Sequence, residues 1–280
     1  MSLGMASFEQ RSQELDAVDV ARRAARILWD RKGQVWPYLV AVAVITAAIR
    51  FVGWRYGLPL EEGGYAWRGH GDESLAQYAT HGAWRLGRAL ADGLVLGMTL
   101  RALLGQAQPW RPDRGLLGFT AIYVAAAAVP LALFFPTIVA WQAGGFSAVP
   151  LMAAGGLGGV LGLVALAYFC LRLIVWPVGV LVGDAEMTAG RAWQAMLGAR
   201  LAWLFAGILF MLPLIFGSAI ATGIGFGIFG LYGIHGGFGH PPMTIGAGVG
   251  PFEAPLHAIA VGLWLSVTAA VYRLRAGLES

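Results

Sequence analysis

"HGAWRLGRALADGLVLGMTLRALL" (residues 81–104) decides the fold. Its second half is apolar, and its first half carries Arg85, Arg88 and Asp92. With His81 these residues are spaced four, three and four apart. At 100° per residue they fall within about 60° of one another, as one polar stripe on a helix face. With Arg101 at the inner boundary of a hydrocarbon core ~30 Å thick, the outer boundary falls about twenty residues earlier, near Gly82. Arg85 then sits a few Å inside, Arg88 roughly 10 Å deep and Asp92 near the midplane. A charge at that depth costs about 2.5–3.5 kcal/mol on insertion scales. The stripe therefore has to face protein or water, with its charges paired. Arg88 and Asp92 have the spacing to pair with each other. Arg172, near the inner end of a later span, is a second partner for Asp92.

Three readings of the stripe stay open. It is structural glue, with Arg85 reaching the outer surface and Arg88–Asp92 a satisfied pair. It is a polar cavity entered from outside, lined by His81, Arg85, Arg88 and Asp92 and holding an anionic headgroup or solute. Or it is a proton or ion pathway, for which one embedded acid is thin support.

The rest of the chain has the same character. Of its 280 residues, 58% are hydrophobic and only 12% charged, about half the charge of an ordinary soluble domain. Mean hydropathy is +0.67. The expected fold is all-α: an integral bundle of six transmembrane helices near 36–56, 77–104, 116–141, 150–182, 201–233 and 255–274. Residues 1–35 form a cytoplasmic amphipathic segment, and 36–280 form the transmembrane domain. Residues 1–35 also lack the apolar core of a cleavable signal peptide.

Orientation follows from the basic residues. With the N-terminus inside, the cytoplasmic stretches hold Arg11, Arg22, Arg23, Arg26, Arg31, Lys32, Arg101, Arg111, Arg114, Arg191, Arg200, Arg273 and Arg275. The outer loops hold Arg55 and Arg68. Thirteen against two puts both termini in the cytoplasm. Trp36, Trp110, Trp176 and Trp203 fall near the inner boundary, where indole rings prefer to lie. All but one of the basic residues are arginines, which suggests a GC-rich bacterial genome. The dispersed arginines argue against a nucleic-acid partner.

Two cytoplasmic surface helices are expected. One presents Val20, Ala24, Ile27 and Leu28 at helical spacing, with arginines on its other side. The second presents Met187, Trp193, Met196 and Leu197. Arg23-Ala24 ahead of span one echoes Arg191-Ala192 ahead of span five, either as an internal repeat or as a short coincidence in Ala/Arg-rich sequence.

Other motifs are weighed more briefly. "GFGIFG" (225–230) fits a dinucleotide fingerprint but lies in an apolar run with no strand before it, so helix packing is the reading. "GGLGG" (155–159), with Gly158 and Gly162, offers small-residue spacing for close helix approach. That packing serves the monomer, a homo-oligomer or another membrane-protein partner. "HGGFGHPPMTIGAGVGPFEAP" (235–255) is an outer segment, either a Gly-rich loop or a cap dipping into the bundle. His235, His240, Glu253 and His257 have no metal-ligand spacing, and no metal or cofactor is expected. Glu61, Glu62, Asp72 and Glu73 read as acids of a solvated loop. Cys170 stands alone, so no disulfide or redox pair is expected within the chain. No nucleophile elbow, catalytic Cys–His pair or P-loop occurs, so no enzyme is expected.

The stretch "LRLIVWPVGVLVGDAEMTAGRAWQAMLGARLAWLFAGILFMLPL" (171–214) resembles a segment of the YciC-like inner-membrane proteins and of the membrane domain of glycerophosphodiester phosphodiesterases. There an arginine near a span end precedes a proline, an Ala-rich amphipathic helix and the next span. The matching positions are Arg172, Pro177 and Ala189 to Trp193. "VARRAARILWDRKGQVWPYLV" (20–40) resembles the lead-in to span one. The resemblance implies a bacterial inner-membrane protein tied to envelope or lipid homeostasis. It does not bring hydrolase activity, because this chain has no room for the soluble catalytic barrel. The expected function is a lipid- or protein-binding scaffold that uses anionic headgroups of membrane lipids. The alternative is a transporter or channel for a small anionic or amphipathic solute.

Overall fold

A computed structural model describes residues 15–56, 75–144, 149–214, 216 and 243–278. The described residues are all-helical, with no strand among them. The helices are α1 (Ala17–Asp30), α2 (Lys32–Tyr56), α3 (Leu75–Leu103), α4 (Arg114–Gly144), α5 (Val149–Leu173), α6 (Val175–Val182), α7 (Ala189–Ala195), α8 (Arg200–Leu214) and α9 (Met243–Arg275). Helices α2, α4, α5 and α9 each contain a stretch long and apolar enough to cross a membrane. Helices α7 and α8, bent by 73° at their junction, pass the same test as a pair. Helix α3 is long enough but not apolar enough. Every 18-residue window within it contains at least three of Arg85, Arg88, Asp92 and Arg101.

The chain divides into two compact units, residues 1–48, 98–110 and 197–280 forming the first. Within it, Asp16 caps α1 by accepting from the Val18 amide at 3.2 Å. Val20, Ala21, Ala24 and Ile27 of α1 are buried, and α1 packs on α9. Helix α9 is the hub, with Val267, Ala269, Ala270 and Val271 all inaccessible. A Cβ on Gly262 would meet Leu39 of α2 at 3.0 Å, and one on Gly207 of α8 would collide with the Trp264 ring. Missing side chains thus let these helices close on α9. Trp203 belongs to this core. It is 5% exposed, donates Nε1–H to Thr268 Oγ1 at 3.0 Å, and stands edge-on to Trp264 at 4.5 Å.

The second unit spans 49–97 and 111–196. Here α4 packs on α5 and α6, and α7 on α5 and α6. Gly93 and Gly97 of α3 lie against Thr120, Tyr123, Leu116 and Phe119 of α4. In the glycine stretch of α5, Gly159 and Gly162 meet Phe134 and Leu133, whereas Gly158 faces open space. The small-residue contact expected at 158/162 is therefore made at 159/162.

Three glycines with positive φ end three helices. Gly105, Gly183 and Gly277 have φ of 80°, 77° and 73°. At each, the glycine amide and the one after it turn back onto helix carbonyls: Gly105 to Ala102 and Gln106 to Arg101, Gly183 to Val180 and Asp184 to Gly179, Gly277 to Leu274 and Leu278 to Arg273. This is the left-handed glycine stop that satisfies the last carbonyls of a helix. Arg31 lies against the first stop, where a Cβ on Gly105 would sit 2.7 Å from its Nη2. A guanidinium there complements the negative end of the α3 dipole.

Several expectations need correction. The run 150–182 is two helices, broken at Ile174, because Pro177 has no amide hydrogen and is tolerated in the first turn of a new helix. Leu197 does not join Met187, Ala192 and Met196 in the core. It is exposed, since the chain turns at 196–199 before α8. The last helix starts twelve residues before 255, so 243–254 is helical rather than loop. Residues 57–74 and 217–242, with "GFGIFG", His235, His240 and the acids of the first outer segment, lie outside the described residues.

Candidate functional site

All four residues of the polar stripe lie on α3. Its exposed positions at this level are Ala83, Gly87 and Leu90. At 100° per residue these centre about 160° from the mean direction of His81, Arg85, Arg88 and Asp92. The contact with α4 runs down a third direction. The Tyr78 hydroxyl donates to the Leu131 carbonyl, and its ring lies 6.1 Å from that of Phe135. Gly82 meets Leu131, and Gly93 meets Thr120 and Tyr123. The stripe stands roughly a quarter turn from this seam. It is thus on a half-buried face, opposite the one the helix leaves bare.

Arg88 Nε and Asp92 Oδ2 are 3.4 Å apart, with their side chains 23% and 24% exposed. Their i,i+4 order makes the pair a local product of the helix. His81 and Arg85 continue the stripe toward the N-terminal end of α3, also half-buried. The arrangement carries a guanidinium, an imidazole and a neutralised ion pair along one line. It can offer several N–H donors to an anion without adding a second embedded acid.

Arg172 is elsewhere. It is 7% exposed, and its Nη1 donates to the Trp193 carbonyl at 3.3 Å. Its guanidinium carbon lies 4.6 Å from the Trp193 ring and 5.8 Å from that of Tyr168. Phe169 packs on the same indole at 5.4 Å. Aromatic faces and a carbonyl, not Asp92, hold this charge, which clamps α5 to α7. Its Nε is buried without a hydrogen-bond partner. Trp193, expected on a membrane-facing surface, is the residue whose role local spacing could not reveal.

The buried charged side chains among the described residues are Arg101, Arg172 and Arg275, and no carboxylate is among them. Arg101, at 2% exposed, is buried by protein. No group of three or more His, Cys, Asp or Glu that could hold a metal occurs among the described residues. No known protein family, curated protein or solved structure matches the chain.

Proposed function

We propose that this protein is a six-span component of a bacterial inner membrane, with both termini cytoplasmic, and that it acts as a lipid-binding scaffold without catalysis. The stripe on α3 is its site for an anionic phosphate headgroup. The single observation that carries this reading is the direction of the stripe. Its ion pair stands on the face opposite Ala83, Gly87 and Leu90, which suits a crossing with an apolar side to the bilayer and charge to the interior. At 29 residues α3 is about 43 Å long, enough to span a core of ~30 Å. The four apolar helices, α3 and the bent α7–α8 pair supply the six crossings. Helix α1 lies on the inner surface, and the short α7 is the surface lead-in from which the bent pair enters the membrane. The likeness of 171–214 to YciC-like proteins agrees with this placement.

The test uses the full chain in a mild detergent, with retained phospholipid weighed by native mass spectrometry. An anionic phospholipid stays bound to the parent protein. Arg88→Leu, with an unchanged melting temperature, loses at least about tenfold in retention, equivalent to ~1.4 kcal/mol. Equal retention by Arg88→Leu and parent overturns the site. Flux of a small anion through proteoliposomes, abolished by Arg88→Leu, replaces the scaffold with a transporter.

A further inference from the structure

Helix α1 has two apolar aspects, and only one is used inside the protein. Val20, Ala21, Ala24 and Ile27 are sealed, and α1 packs on α9. On the opposite side Val18 is 53% and Trp29 is 69% exposed. Arg22, Ala25 and Arg26 are exposed between them. At 100° per residue these five positions fall within about 60° of Arg22. The acids keep to one flank, where Asp19 pairs with Arg23 at 2.9 Å. Arg22 and Arg26 have no ion pair or hydrogen bond within the described residues. Lys32 Nζ sits 3.7 Å over the Trp29 ring, and Trp36, in the second turn of α2, is exposed as well.

We propose that this outward face of α1 seats on the anionic surface of the bilayer in which the chain is embedded. An aqueous face does not explain Val18 and Trp29, and an acyl-chain contact does not explain two uncompensated arginines. The headgroup layer accommodates both, because indole and valine enter the apolar edge while guanidinium groups meet phosphates. Basic side chains close to an anionic surface are drawn to its phosphates, and the attraction fades within a Debye length. The covered inner face fixes the helix to the protein, so the docked surface is presented rigidly. The inference extends the lipid-binding reading to a second and independent surface, and it stands or falls apart from the α3 stripe.

The experiment places an environment-sensitive label on Ala25→Cys in a Cys170→Ala background of the full chain. The protein is reconstituted in nanodiscs of phosphatidylcholine alone, or with about one third phosphatidylglycerol. Anionic lipid lowers quenching of the label by an aqueous quencher at least about twofold, and Arg22→Gln with Arg26→Gln removes that difference. Equal quenching in the two lipid mixtures overturns the proposal. So does a difference that survives the double substitution. Retention of lipid at the α3 stripe is unaffected by either variant, so the two readings fail separately.

Discussion

In the proposed six-span arrangement, Arg88 and Asp92 set the cost of placing α3 in an apolar medium. Their side chains are about a quarter exposed, so the pair is worth less than a sealed one and more than a surface one. Asp92→Leu removes the carboxylate from the pair and lowers stability by about 1–3 kcal/mol. The exchange Arg88→Asp with Asp92→Arg recovers most of that loss, and thermal unfolding of the parent, Arg88→Asp, Asp92→Arg and the double exchange gives the coupling. At Trp203 the decisive group is the indole N–H. Trp203→Phe keeps the ring against Trp264 but leaves Thr268 without that donor, for a loss of about 1 kcal/mol in the same measurement. The Arg88–Asp92 pair is legible in sequence because it is closed within one turn. The Arg172–Trp193 clamp is not, since its partners are 21 residues apart and meet only after α5 and α7 have docked.

Glycines separate the helix contacts by consequence. Gly207→Ala drives a methyl group into the Trp264 ring and costs about 1–3 kcal/mol. Gly156→Ala meets nothing within 4 Å and is neutral or stabilising by up to about 1 kcal/mol. Similar melting temperatures for the two variants contradict the α8–α9 packing. Gly183→Ala has free space around it, yet forces an L-residue to a φ near 77°, at about 1–2 kcal/mol. At this scale the sequence is partly readable. Pro177 marks a new helix, and Pro241-Pro242 precede the start of α9, but the 150–182 run looks unbroken because its hydropathy never falls. Apolar periodicity finds Val20, Ala24 and Ile27 without telling whether lipid or protein covers them. The answer, α9, lies at the far end of the chain.

For the whole molecule, the proposed six crossings with cytoplasmic ends put both termini on the inner side. Single cysteines at Ser2 and Ser280, each in a Cys170→Ala background, become reactive to an impermeant thiol reagent only after cells are permeabilised. Labelling of one end alone in intact cells means an odd number of crossings. The all-helical architecture was readable from composition, because apolar runs and few charges leave helices as the way to satisfy the backbone in lipid. The division into two compact units was not, since it depends on contacts between segments far apart in sequence.

The seating of α1 on α9 also orders events in time. Ribosomal synthesis releases the first helix roughly 220 residues before its binding site is made, a delay on the order of 10 to 45 s. During that interval Val20, Ala24 and Ile27 lack their permanent cover, and the nascent chain has to shelter them on a membrane surface or a chaperone. Closure of this first-to-last contact comes at the end of biogenesis, so a chain truncated before α9 leaves its own beginning undocked.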